Sequence, residues 1–329
     1  MRPDGSAFSW RGISSFKLLA VDAGQRDRVL DWCAAHGVNV VRVFGQCSIL
    51  FSLPPDVARE RLPALLIAAA ARGLYVELTA LCDTAYYPVG LMEPHLSATA
   101  AICAAHENAL LESANEVRHE TQRPELVDLV KRINPSGIPY AQGSTHGEDD
   151  ESREFAGGTF CTVHHDRADG DRGWRWVRHS REGQVMAYDV NRYVVSDEPR
   201  RDDLDRAKHF AFGAQASLLE MGDTFHYKGG LTSDIPTGDE LRAFEARWEG
   251  WLTFDAWRGT MKNATWTDSP VKSFNTNRAV RVYSSVEGND GRTLAMGILG
   301  DPAIVWQGGW HVVTMYEAYP EAWAYLIAR

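Results

Sequence analysis

Two apolar runs in this chain each end in a carboxylate set among small polar residues. Leu110-Leu111-Glu112-Ser113-Ala114 leads into Asn115-Glu116, and Tyr193-Val194-Val195-Ser196 leads into Asp197-Glu198-Pro199. Two carboxyl groups brought together support acid and base chemistry when their surroundings keep one protonated and the other ionised. Arg42 sits inside the run Val40-Val41-Arg42-Val43-Phe44, and a neighbouring guanidinium is the means of holding a carboxylate ionised. His164-His165-Asp166 and His226-Tyr227 close two further runs. Adjacent histidines on a strand point to opposite faces, so the pair is a poor chelate, and no H-E-x-x-H accompanies it. At most one of them, His164, faces a substrate. Ser144 and His146 lack a G-x-S-x-G elbow and read as hydroxyl-recognising residues rather than a serine nucleophile with its base.

The elements that must position these groups alternate. Strands are expected over residues 7–15, 38–44, 74–81, 109–114, 138–143, 159–163, 193–196 and 224–227. Between them lie amphipathic stretches over 22–36, 57–72, 96–106, 124–133, 174–188 and 204–218, and Thr237-Gly238-Asp239-Glu240 opens a helix with Leu241, Phe244, Trp248 and Trp251 inward. Glycines such as Gly37 and Gly73 follow the first two helices. Eight βα units in about 250 residues have the dimension of a TIM (β/α)8 barrel. A doubly wound sheet is the alternative, but no G-x-G-x-x-G or Walker turn is present. In a barrel, side chains at the C-terminal strand ends share one mouth. That places Glu116 and Glu198 at the same opening.

Beyond about residue 260 the texture changes. Val280 and Val282 alternate with polar residues, Gly288-Asn289-Asp290-Gly291 is a hairpin turn, and β-like runs follow over 294–299, 304–307, 311–316 and 322–327. The expected division is a barrel over residues 1–260 and a small antiparallel β extension over 261–329.

Composition narrows the partners. With 34 basic and 44 acidic residues the net charge is −10, which disfavours a nucleic-acid phosphate groove. No apolar stretch approaches bilayer length, so no membrane partner is expected, and no secretory leader is visible at the N-terminus. Cellular location and oligomeric state are left open. The five cysteines are scattered without C-x-x-C and read as free thiols. Eleven Trp and eleven Tyr offer flat faces with polar tips, although core packing is their default role.

Taken in order, these segments resemble the clan-A glycoside hydrolases, the superfamily that includes family 5 cellulases and mannanases. Trp10-Arg11-Gly12 looks like the entry into strand one, and Asn39-Val40-Val41-Arg42-Val43 like strand two. Leu111-Glu112-Ser113-Ala114-Asn115-Glu116 looks like strand four, and Val195-Ser196-Asp197-Glu198-Pro199 like strand seven. The resemblance implies a retaining hydrolysis of a carbohydrate substrate, most plausibly β-linked, with Glu116 as acid/base and Glu198 as nucleophile about 5–5.5 Å away. It implies that Arg42 supports the nucleophile; from their places at the strand ends, Asn115 is expected to meet the sugar 2-hydroxyl and His164, His226 and Tyr227 to contact substrate. No metal and no organic cofactor is implied. Three departures stand out: Pro199-Arg200 follows Glu198 instead of a glycine turn, the strand-six segment His164-His165-Asp166 lacks the family's His-x-Tyr, and strand eight ends in His226-Tyr227 rather than tryptophan. They motivate an alternative, a barrel that binds carbohydrate without turning it over. A metal-dependent hydrolase using the His pair is a third reading.

Overall fold

The computed structural model describes residues 8, 10–144, 155, 157–164, 193–198, 222–245 and 248, and the strands over 266–269, 280–288, 293–299, 310–318 and 321–328. Two sheets account for its strands. The first has eight: β1 (Arg11–Ser14), β2 (Val40–Phe44), β3 (Tyr75–Leu81), β4 (Ala109–Ala114), β5 (Tyr140–Ala141), β6 (Phe160–His164), β7 (Tyr193–Glu198) and β8 (Gly222–Phe225). They are ordered β5-β4-β3-β2-β1-β8-β7-β6, and every pairing between hydrogen-bonded neighbours is parallel. This is the TIM-barrel strand order, with β1 paired to β8.

The ring departs from a continuous ladder at one seam. β5 and β6 are not paired, so the strand ladder is not closed: the segment just before β6 reaches β5 through one isolated antiparallel bridge, Ala141 to Gly158, supported by Thr159 N–H to Tyr140 O at 2.8 Å and Gln142 N–H to Gly157 O at 3.2 Å. The physical reason lies in β5. It is two residues long and follows Pro139, which has no N–H to give. Gly158 is required there: its φ is 114°, and a Cβ would stand 2.4 Å from the Tyr140 carbonyl oxygen.

Four described helices lie between the early strands: α1 (Ala23–Ala35), α2 (Pro55–Ala70), α3 (Val89–Ala104) and α4 (Glu125–Arg132). Asp22 caps α1 through Oδ1 to Gln25 N–H at 2.9 Å. Val29, Leu30 and Cys33 of α1 are buried, as are Leu62, Leu65, Leu66 and Ala69 of α2. They pack on the outward side chains of β2 and β3, including Val41, Val43, Val76 and Leu78. The sequence places α3 at residues 96–106; it begins seven residues earlier and contains Pro94. A helix over residues 238–245 follows β8, with Ala243 and Phe244 buried. The stretches expected to be helical over 174–188 and 204–218 lie outside the described residues, as does Trp251.

Inside the ring, strand alternation sorts the side chains into layers. Trp10, Val40, Leu110, Ala141, Phe160 and Val195 form an apolar plug. Trp10 spans it, its indole Nε1–H donating to Thr224 Oγ1 at 3.1 Å. Two residues further along β2 and β4, on the same side, come Arg42 and Glu112. The layer above the plug is therefore charged.

The second sheet has five antiparallel strands: β9 (Trp266–Ser269), β10 (Val280–Gly288), β11 (Thr293–Leu299), β12 (Trp310–Ala318) and β13 (Glu321–Ala328), in the order β12-β13-β11-β10-β9. The β10–β11 pairing brackets the expected hairpin turn, with Glu287 opposite Thr293. The run expected over 304–307 lies outside the described residues. Among the described residues no helix is long and apolar enough to cross a membrane.

Candidate active site

The charged layer is built from three neighbouring strands. Arg42 on β2 stands in register with Glu77 on β3, and Thr79, two residues on, stands in register with Glu112 on β4. Arg42 is 1% exposed and both glutamates are 0% exposed. Its guanidinium donates to Glu112 Oε2 from Nη2 at 2.7 Å and from Nε at 3.2 Å, with Glu77 Oε2 4.0 Å away. Thr79 Oγ1–H donates to the same Glu112 oxygen at 2.5 Å. The rings of Phe16 and Phe44, stacked on each other at 4.2 Å, lie together beside the guanidinium, its Cζ 5.4 and 5.6 Å from their centroids. A buried cation in this setting is held by its counter-charges and not by water.

From there the network rises to the strand ends. Arg42 Nη2 also donates to Asn115 Oδ1 at 2.9 Å. Asn115 is fixed on its other sides: its N–H donates to Leu81 O at 2.9 Å, and its carbonyl accepts from Gln122 Nε2 at 2.6 Å. Its amide is thereby oriented, with its oxygen committed to Arg42.

Glu116 comes next, at φ 38°, in the left-handed region that non-glycine residues seldom occupy. The turn is held by Glu116 N–H donating to Ser144 Oγ at 2.8 Å and by Val117 N–H donating to Ser144 O at 3.1 Å. Ser144 is itself fully buried. It grips the backbone of Glu116 and does not present its hydroxyl to a ligand as the sequence pattern suggests. The Glu116 carboxyl is 22% exposed, and its Oε1 lies 3.1 Å from His164 Nδ1. Whichever partner carries the shared proton, the contact fixes the carboxyl's orientation. His164 is the last residue of β6, so the bond spans the side of the mouth that includes the β5–β6 seam.

Glu198 ends β7, in register with Phe225 on β8, while Asp197 pairs with both His164 and Thr224. The side chains of Glu198 and Asp197 lie outside the described residues, as do His146, His165 and Asp166. The expected Arg42–Glu198 contact therefore has no counterpart among the described contacts; the described partners of Arg42 are Glu112, Glu77 and Asn115. Neither glutamate was singled out in the sequence as an Arg42 partner. The signal available was a single charged residue inside each of three successive apolar strands.

His226 is half-buried, its ring 5.0 Å from that of Phe16. Tyr227 requires a correction. It was expected to contact substrate, but it is 0% exposed, its hydroxyl donates to Asp234 O at 2.6 Å, and its ring lies parallel to that of Phe225. Burial raises its pKa well above the ordinary phenol value. Tyr227 packs the core below the mouth.

No protein-family model and no curated protein matches the sequence. Solved structures do match it in three dimensions. A family 5 glycoside hydrolase from Bacteroides vulgatus is 15% identical with a TM-score of 0.60, the match covering 100% of this chain and 91% of that one. The chain shares the fold of family 5 glycoside hydrolases. An endo-β-1,4-mannanase from Thermotoga petrophila is 11% identical with a TM-score of 0.56, covering 99% and 92% of the two chains. An endo-1,4-β-mannanase from Rhizomucor miehei is 12% identical with a TM-score of 0.51, covering 74% and 96%. At these identities the likeness is one of fold, and fold alone does not fix chemistry.

Proposed function

We propose that this protein is a retaining glycoside hydrolase acting on a β-linked oligo- or polysaccharide, with Glu116 as acid/base and Glu198 as nucleophile. One observation carries the reading. Glu116 is a partly sheltered carboxyl at the C-terminal end of β4, held at positive φ by a buried serine and oriented by His164. Strained, over-determined backbone at a barrel mouth is where catalytic groups are found. The strand order supports the second half of the reading, since β7, which ends in Glu198, opens on the same mouth as β4.

The steps follow from the two carboxyl groups. Glu198 attacks the anomeric carbon while Glu116 protonates the departing oxygen, giving a glycosyl-enzyme and a free leaving group. Glu116, now ionised, then takes a proton from water as that water displaces Glu198. Asn115 stands beside Glu116 to meet the 2-hydroxyl with its amide N–H, its oxygen being held by Arg42. The catalytic unit is assigned to residues 1–260 and the antiparallel extension to 261–329.

A screen over β-mannan, β-glucan and aryl β-glycosides, with product anomers followed by NMR, tests the proposal. Retention of configuration is expected. Glu198→Gln should abolish turnover on every substrate. Glu116→Gln should spare the first step on activated aryl glycosides, and azide should restore deglycosylation. Glycan binding with no product from any substrate would make the barrel a binding protein, and inversion would reassign the pair.

A further inference from the structure

Away from the two glutamates, the ends of β2 and β3 bring together two thiols and a carboxylate. Cys47, Cys82 and Asp83 are 2%, 0% and 4% exposed, and their Sγ, Sγ and carboxylate oxygen atoms all lie within 4.8 Å of one another. Cys47 Sγ–H donates to Asp83 Oδ2 at 3.2 Å. In a tetrahedral zinc site, metal–sulfur bonds of about 2.3 Å and metal–oxygen bonds of about 2.1 Å put neighbouring ligand atoms roughly 3.5–3.8 Å apart. The Cys47 Sγ–Asp83 Oδ2 distance of 3.2 Å lies just under that range, and with all three atoms within 4.8 Å of one another a bound ion would draw the remaining pairs together by up to about 1 Å.

Its surroundings hold the three groups in place. Asp83 has φ 52° and ψ 54°, a left-handed conformation that aspartate accepts more readily than most residues. That backbone is locked by Ser48 Oγ donating to Asp83 O at 2.8 Å. Cys82 N–H donates to the amide oxygen of Gln46 at 3.3 Å. Cys47 is paired through its own backbone with Leu53, which closes residues 48–52 into a loop over the cluster. Ser48, Ile49 and Leu50 in that loop are exposed, and Leu50 N–H donates to Asp83 Oδ2 at 3.4 Å.

We propose that Cys47, Cys82 and Asp83 form a binding site for one thiophilic divalent metal ion, zinc(II) in type, with the fourth position left to water. Two metal–sulfur bonds and one metal–oxygen bond form as the two thiol protons leave to solvent, and no oxidant is required. The site would tie the loop after β2 to the end of β3. The carbonyl of Leu81, the residue before Cys82, accepts from Asn115 N–H, so the tie lies one strand from the candidate acid/base.

Cadmium(II) titration of the full-length chain, purified with reductant and stripped with chelator, tests this without reference to hydrolysis. One equivalent should produce the ultraviolet thiolate-to-cadmium absorption and raise the melting temperature. Zinc(II) should compete it away. Cys47→Ser and Cys82→Ser should each lose the band, Asp83→Asn should weaken binding about tenfold or more, and Cys33→Ser/Cys103→Ser should leave binding intact. Asp83→Asn keeps both thiols, so it decides the matter if a cysteine variant fails to fold. No band in the folded parent, a band that survives Cys47→Ser, or unchanged affinity in Asp83→Asn would each overturn the site. A Cys47–Cys82 disulfide in reductant-free protein, together with no cadmium binding after reduction, would make the pair a redox pair instead and equally overturn it.

Discussion

Arg42 and Glu112 form a fully buried ion pair, Nη2 to Oε2 at 2.7 Å, and the same guanidinium nitrogen holds Asn115 beside the candidate acid/base. One side chain thus joins the barrel interior to the mouth. Removing it leaves Glu112 and Glu77 buried without their described counter-charge. Breaking such a pair from one side costs about 3–5 kcal/mol, whereas replacing both partners with apolar residues is often neutral. Arg42→Met should therefore lower the denaturant midpoint strongly, and not only turnover. The triple replacement Arg42→Met/Glu77→Leu/Glu112→Leu should recover much of the stability while activity stays lost, because Asn115 no longer has its partner. Urea unfolding followed by circular dichroism checks both statements. A stable Arg42→Met protein would show that the charged layer is hydrated or protonated.

Ser144 acts on Glu116 through the backbone. Ser144→Ala deletes the acceptor of the Glu116 N–H and should cost about 1 kcal/mol of stability. The larger effect should fall on kcat, because the carboxyl is then aimed by a looser turn; about tenfold or more is expected, with KM little changed. Steady-state kinetics on an aryl glycoside gives the split. A change confined to KM would mean that Ser144 serves the substrate after all.

Much of this was legible from the residues, and the exceptions have physical causes. The strands β2, β3 and β4 are near-continuous apolar runs buried on both faces, the signature of a parallel sheet. Helix α3 begins seven residues before the expected stretch, with Pro88 at its N-cap and Pro94 inside it, where a proline gives up one helical hydrogen bond and hides the helix from the sequence pattern. Strand β8 lies two residues before the expected 224–227, because Tyr227 leaves the strand and its hydroxyl donates to Asp234 O. Glu116 and Arg42 stood out at strand ends and in apolar context. Glu77, Glu112 and the grip of Ser144 did not, because they depend on which strands neighbour one another, and neighbours in a barrel are not adjacent in sequence.

Glu116 should itself show the trade between stability and function. At φ 38° its backbone carries strain on the order of 1 kcal/mol that glycine does not feel. Glu116→Gly should keep or raise the melting temperature while abolishing hydrolysis of unactivated substrates. Glu60→Gly, on the exposed face of α2, is the control and should lose about 1 kcal/mol. A Glu116→Gly protein that melts as low as the control would mean that the positive φ is not a stored strain.

His95 gives the fold a pH dependence of its own. It is buried on α3, with Nε2 3.1 Å from Ala80 O and Nδ1 2.6 Å from Arg59 Nη1. The ring must be neutral for this, donating from Nε2 to the carbonyl and accepting from the guanidinium at Nδ1. Burial lowers its pKa from 6.5 to about 4, and the nearby Arg59 charge adds to the effect. Below about pH 6.5 the unfolded chain takes up a proton at this position, and the folded chain does not until about pH 4. The contribution of His95 is therefore fully present above the unfolded pKa and is lost as the pH falls through this window. The loss should amount to about 3 kcal/mol. His95→Gln keeps a donor for Ala80 and an acceptor for Arg59 without the titration. Its stability should lie below that of the parent at pH 8 and fall less steeply between pH 6.5 and 4. Unfolding midpoints measured across that range decide it, and parallel curves for the two proteins would show that His95 is protonated in the folded state.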